Sequence, residues 1–159
     1  MYRLDDLFVQ LDAVRDHEWP RFQLRRRRLS LGGILATGYE VSTTIRGVRF
    51  RFTAILCWKH SECGLGWDTP DGWTLDCTDT PDQSIVTELF RHFIGFAASV
   101  IKAEPAIRDV GFTASPGDHF HMRFYTTATE VIARRWQATS LITPLTYHTE
   151  FRITLPENP

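Results

Sequence analysis

The sequence predicts an α+β domain, in which an antiparallel β-meander carries a long central helix and shorter helices on one face. Glycine-containing turns divide the stretch 22–58 into segments of strand length, and residues 81–104 repeat apolar side chains at helical spacing. The segment 145–155 again alternates apolar and polar side chains. With 159 residues, of which 43% are hydrophobic, the chain can bury one core, so 1–159 is predicted to be a single domain.

The first half of the chain is predicted to form a helix and three strands. The helix is indicated by apolar residues at three- and four-residue steps before Pro20, namely Leu4, Leu7, Phe8, Leu11 and Val14. Strands near 22–31, 34–45 and 48–58 follow, joined at Gly32-Gly33 and Arg46-Gly47. The second turn would place Ile45 opposite Val48. The register of the first hairpin stays open, because a bulge at Gly33 would move Leu29 and Leu31 to the other face.

A loop-rich stretch is predicted from Trp58 to Asp82, with a short hairpin around 69–72. The clearest helix then begins, with Thr80 as the N-cap, Pro81 in the first turn and Gln83 completing a capping box. Its apolar arc is wide, which is typical of a helix packed across a sheet. Phe93 lies where the two apolar stripes of this helix meet, so it is expected to be buried under the sheet.

The remaining elements are predicted as a hairpin, a short helix and a final strand. The hairpin strands lie near 107–114 and 119–126, and Thr127 and Glu130 form a second capping box that opens the short helix. The final strand turns its apolar side chains inward, namely Leu145, Tyr147, Phe151, Ile153 and Leu155.

Composition excludes several classes of protein. The formal net charge of −1 gives no overall attraction to nucleic acid or membrane, and no apolar run reaches the roughly 20 residues of a membrane-spanning helix. The first residues carry acids where a secretory signal is basic, and the odd count of 3 cysteines argues against a disulfide framework. We therefore expect a cytoplasmic protein that does not bind membranes. There is no phosphate-binding loop, dinucleotide fingerprint or nucleophile elbow.

The three cysteines and one histidine form the sharpest local pattern, Cys57, His60, Cys63 and Cys77. Three thiolates and an imidazole complete a tetrahedral zinc site, which would be closed and structural. The spacing is not that of a standard zinc knuckle. The alternative, which we favour, is that the cysteines are reduced and fill small apolar spaces, so that the protein holds no cofactor.

His119 and His121 form a second candidate site. Two residues apart on the predicted strand, they would point to the same face and could hold a divalent metal. The alternation of Phe120, Met122 and Phe124 explains the same strand as core on one side and histidine on the other.

Charge is segregated along the chain. Eight arginines and the single acid Glu40 lie between Arg21 and Arg51, whereas six acids and no base lie between Glu62 and Asp82. Arg49 and Arg51 share one face of a predicted strand, where they could bind phosphates or an acidic protein. The alternative is a solvated face whose charges prevent aggregation.

Tryptophans are concentrated in the same acidic stretch. Trp58, Trp67 and Trp73 lie near Asp68 and Asp71, an arrangement typical of interface anchors with a polar rim. The alternative is that these tryptophans are buried and cap one end of the sheet.

Together these patterns favour a non-catalytic protein-binding module of the adaptor, inhibitor or immunity-protein type. Its unknown protein partner would contact Trp58, Trp67, Asp68, Asp71, Trp73, Arg49 and Arg51. One alternative is a nucleic-acid-binding accessory protein that uses the arginine-rich sheet face. The other is a small metal-dependent enzyme that uses His119 and His121.

Overall fold

The computed structural model describes residues 15, 18–31, 33–57, 61–70, 83–115 and 117–157. These residues form a seven-stranded sheet with two helices. The strands are β1 Arg27–Leu31, β2 Ile34–Ile45, β3 Val48–Cys57, β4 Glu62–Asp68, β5 Asp109–Ala114, β6 Thr139–Pro144 and β7 Thr149–Thr154. The helices are α1 Gln83–Ala103 and α2 His119–Trp136. The α+β class is confirmed; the predicted helix at 4–14 and the caps Thr80 and Pro81 lie outside the described residues.

The strand order is β1-β2-β3-β4-β5-β7-β6. All neighbours are antiparallel except β4 and β5, which α1 joins as a crossover connection. The register predicted at Arg46-Gly47 is confirmed, with Ile45 opposite Val48. Both turn residues have positive φ, 49° and 81°, as a two-residue hairpin of this hand requires.

The first hairpin keeps a strict register, without a bulge. Leu29 lies opposite Ala36, and Leu31 opposite Ile34. Leu29 is buried but is not part of the main core. Instead it lies on the same side of the sheet as Arg51. A Cβ placed on Gly38 would lie 3.2 Å from Leu29 Cδ1.

One face of the sheet packs against both helices. A single hydrophobic cluster contains buried residues of α1 and α2 together with alternate strand residues such as Phe50 and Phe52. Phe93 is fully buried within it, and its ring centroid lies 5.5 Å from that of Phe112 and 5.4 Å from that of Phe124. Its predicted burial is therefore confirmed.

The predicted strand at 119–126 is wrong, because these residues begin α2. The Asp118 side chain caps the helix by accepting a hydrogen bond from the His121 N–H at 3.0 Å. Thr127, predicted as a cap, is a buried interior residue. Apolar residues at 120, 122 and 124 fit a strand over so short a window, but Phe120, Phe124, Ala128 and Val131 form one buried helical stripe.

Two further predictions are corrected. Residues 62–68, predicted as loop, form β4, which turns Cys63, Leu65 and Trp67 inward. The predicted final strand, 145–155, comprises the turn between β6 and β7 followed by β7, whereas β6 was not predicted. Phe151 and Ile153 are buried as predicted, whereas Leu145 and Tyr147 lie at the turn and are 45% and 85% exposed.

The chain ahead of β1 crosses α1 instead of extending the strand to residue 22. The Phe22 N–H donates to Ser99 Oγ at 3.2 Å. The Phe22 ring meets that of Phe96 edge-on at 6.0 Å. At the crossing point, a Cβ placed on Gly95 would overlap the carbonyl oxygen of Pro20. No described helix is long and apolar enough to cross a membrane.

Candidate functional site

The sheet face opposite the helices, here called the open face, is not covered by any described helix. In β3 the alternation Val-Arg-Phe-Arg-Phe sends Phe50 and Phe52 into the core and leaves Arg49 and Arg51 on the open face. Every β3 residue on this face is at least partly exposed. The antiparallel register brings Arg51 opposite Asp68 of β4, so that two residues predicted to bind a partner lie side by side.

Opposite charges are paired across the open face. Arg51 Nε donates to Asp68 Oδ1 at 3.0 Å, and Arg51 Nη2 also bonds the second carboxylate oxygen. The hydrogen bonds to Asp68 raise the pKa of Arg51. Arg27 Nη2 donates to Glu40 Oε1 at 2.7 Å. Such exposed pairs contribute little to stability; they give the face a pattern of both signs.

Glycines replace side chains at several positions of the open face. Gly64 and Gly66 of β4 and Gly111 of β5 lie on this side of the sheet, and nothing lies within 4 Å of a Cβ built on Gly64. A hollow of about 330 Å³ lies beside Arg51 and Asp68, and Thr53 and Gly66 are among the residues that line it. A second hollow of about 220 Å³ is bordered by Glu62, Asp109, Glu150 and Arg152, together with Cys57 and Gly111.

Trp67 lies on the other side of the sheet, in the core. It is 6% exposed, and its ring stacks on that of His121 at 4.0 Å and meets that of Phe124 edge-on at 5.2 Å. This placement leaves it almost no surface for a partner. The other proposed contacts in this stretch, Trp58, Asp71 and Trp73, lie outside the described residues.

The structure does not bring the proposed zinc ligands together. Cys57 is exposed on the open face, whereas Cys63 points into the core and is 3% exposed, so the two thiols lie on opposite sides of the sheet. Burial raises the pKa of Cys63 to about 12, which keeps it a thiol. His60 and Cys77 lie outside the described residues. Within the described residues, no group of three His, Cys, Asp or Glu side chains is placed to hold a metal ion.

His119 and His121 do not share a face, because residues two apart on a helix point in different directions. His119 is exposed. His121 is engaged on three sides: its Nδ1 lies 2.6 Å from Asp118 Oδ2, its Nε2 lies 3.1 Å from the Trp67 carbonyl oxygen, and its ring stacks on Trp67. These contacts give His121 a structural role at the start of α2.

A buried polar cluster was not predicted from the sequence. Glu104, just after α1, is 5% exposed and accepts hydrogen bonds from Arg26 Nε at 2.9 Å and from the Tyr39 hydroxyl at 2.6 Å. Burial, followed by the hydrogen bond to Glu104, raises the pKa of Tyr39. The cluster fastens the chain before β1 to β2 and to the end of α1. Its members are 65 and 78 positions apart, so no local pattern could reveal it.

No protein-family model matches this sequence, and no curated protein gives a significant match to it.

Proposed function

We propose that the protein is a non-catalytic protein-binding module whose partner docks on the open face. The observation that supports this is one whole face of the sheet that no described helix covers and that carries charges of both signs around two hollows. A folded protein can match such a pattern with opposite charges of its own, and mixed charge of this kind steers and orients a protein partner.

The same pattern argues against the nucleic-acid alternative. Arg27 and Arg51 are engaged by Glu40 and Asp68, and those carboxylates would repel phosphates approaching the same face. The metal-enzyme alternative is not supported either, because His119 and His121 point apart and His121 is held by Asp118 and Trp67.

A site-specific photo-crosslinker tests where the partner binds. Placed at Thr53, in the middle of the open face, it should capture a discrete protein in cells. At Glu130, which is exposed on α2, it should not.

A charge swap then tests whether the partner reads the open face. The double change Arg51→Asp and Asp68→Arg keeps an ion pair within the chain but reverses the two charges that a partner meets. We expect an unchanged melting temperature and a purified partner that binds at least about tenfold more weakly. Arg134→Glu, on α2, is the control and should leave binding unchanged.

Unaltered binding by the swapped chain would refute the open face as the interface. Tight binding to random-sequence nucleic acid, weakening steeply with salt, would instead favour the nucleic-acid alternative.

A further inference from the structure

The edge strand β6 is uncharged and exposes apolar side chains on both of its faces. β6 ends the sheet, and Leu141 and Ile142, which point to opposite faces, are 63% and 41% exposed. None of its residues, Thr-Ser-Leu-Ile-Thr-Pro, is charged. The other edge strand, β1, carries Arg27 and Arg28, a usual protection against edge pairing. β6 lacks that protection.

The main chain of β6 offers a short, regular set of donors and acceptors. The Leu145 N–H donates to the His148 carbonyl at 2.8 Å, so 145 and 148 form a hydrogen-bonded pair in the hairpin. Hydrogen-bonded and non-hydrogen-bonded pairs alternate along antiparallel strands. Residues 139, 141 and 143 therefore bond to β7, while Ser140, Ile142 and Pro144 turn their main-chain groups outward.

Ser140 and Ile142 each present an N–H and a C=O that no described strand meets. Pro144, which has no N–H, occupies an outward position where no donor is needed within the hairpin.

We propose that β6 pairs with β6 of a second copy of this chain, antiparallel about a two-fold axis that passes by Leu141. Ser140 then lies opposite Ile142 of the other copy, and the two residues exchange both main-chain hydrogen bonds. Leu141 lies opposite its own counterpart on the open-face side. Centring the axis on Ile142 instead would place Ser140 opposite Pro144 and leave the Ser140 carbonyl without a donor.

The strand favours a second copy over an unrelated strand because its register is self-complementary. An uncharged strand meets no repulsion from its own copy. In this register Leu141, which is 63% exposed in one copy, packs against Leu141 of the other copy. One strand pair buries less than a standard interface, so we expect a dimer that dissociates in the micromolar range.

A disulfide scan tests the register. In a background of Cys57→Ser and Cys77→Ser, Leu141→Cys should form an intermolecular disulfide on mild oxidation. Directly opposite Cα atoms in a non-hydrogen-bonded pair lie about 4.5 Å apart, within the range for disulfides. Thr143→Cys is the control: it lies on the same strand and face but opposite Thr139 of the other copy, so it should cross-link only when mixed with Thr139→Cys.

A charge pair tests the dimer in solution by sedimentation velocity. Leu141→Lys and Leu141→Glu should each weaken self-association about a hundredfold or more, because like charges meet at the axis. An equimolar mixture of the two variants should dimerise again, which a folding defect could not produce. A parent chain that stays monomeric through the micromolar range overturns the proposal. So does cross-linking of Thr143→Cys alone that equals that of Leu141→Cys.

Discussion

The thiol of Cys63 lies in the core, where burial raises its pKa from 9.0 to about 12. Below pH 9 the thiol is protonated in both the folded and the unfolded chain, and the stabilisation is fully present. Above that pH the unfolded chain releases the proton while the folded chain keeps it. The free energy of unfolding should therefore fall as pH rises from about 9 towards 12, by up to about 1.4 kcal/mol per pH unit.

Denaturant melts at a series of pH values measure this loss. Cys63→Ala should reduce the slope between pH 9 and 10, where the raised pKa values of Tyr39 and Tyr125 contribute less than they do above pH 10. Cys57→Ser, at an exposed site, is the substitution control. If Cys63→Ala leaves the pH dependence of the unfolding free energy unchanged, the loss of stability does not come from the buried thiol.

Trp67 and Asp68 show what can and cannot be inferred from neighbouring residues. Their proximity in sequence suggested an interface anchor, Trp67, with Asp68 in its polar rim. Consecutive strand residues, however, point to opposite faces. Asp68 and Arg51 do reach one surface, because the antiparallel register of β3 and β4 places them opposite each other. Trp67 is in the core, and the decisive fact, that residues 62–68 are a strand, was hidden by two glycines.

The start of α2 separates two interpretations of one segment. If the helix begins at His119, Asp118 is its cap, and Asp118→Ala should cost about 1–2 kcal/mol of unfolding free energy. Thr127 would then be an interior residue whose buried hydroxyl has no partner among the described residues. Thr127→Val should be neutral within about 0.5 kcal/mol or stabilising.

Chemical denaturation of the two variants side by side, followed by circular dichroism, provides the comparison. The opposite ranking, with a large loss for Thr127→Val and none for Asp118→Ala, would restore the helix start predicted at Thr127.

Helices and strands were predictable to different degrees. α1 was predictable because its apolar arc extends over many turns, and β2 and β3 because Arg46-Gly47 fixes both their turn and their register. β6 was not, because both of its faces are exposed and it therefore has no alternation to detect. The exposed apolar side chains that make β6 a candidate dimer edge also remove the alternation by which a strand is recognised in a sequence.

At the scale of the whole molecule, the sequence indicated the class of fold but not its strand order. The parallel contact between β4 and β5 depends on how α1 crosses the sheet, and the buried cluster of Arg26, Tyr39 and Glu104 joins segments that are distant in sequence. The crossing of residues 19–26 over α1 belongs to the same class of long-range contact. Gly95 was its only mark in the sequence, and one glycine in a helix has several explanations.

Gly95→Ala tests that crossing, because two effects of the substitution predict opposite changes in stability. Helix propensity alone predicts a gain of about 1 kcal/mol. A Cβ at this position would overlap the carbonyl oxygen of Pro20, and overpacking typically costs about 1–3 kcal/mol, so we expect a net loss of stability. Displacing the segment should also release Trp19, whose ring lies 4.8 Å from the Arg135 guanidinium carbon, and speed tryptic cleavage after Arg21.

Gly64→Ala is the matched control, since nothing lies within 4 Å of its added Cβ, and it should change neither the stability nor the cleavage rate appreciably. Thermal melts and timed trypsin digestion followed by mass spectrometry give both readouts. A stabilised Gly95→Ala variant with the parent's cleavage rate would mean that residues 19–26 do not cross α1 at this point. Loss of stability together with faster cleavage would place the segment on α1, where it ties that helix through Trp19 and Arg135 to α2.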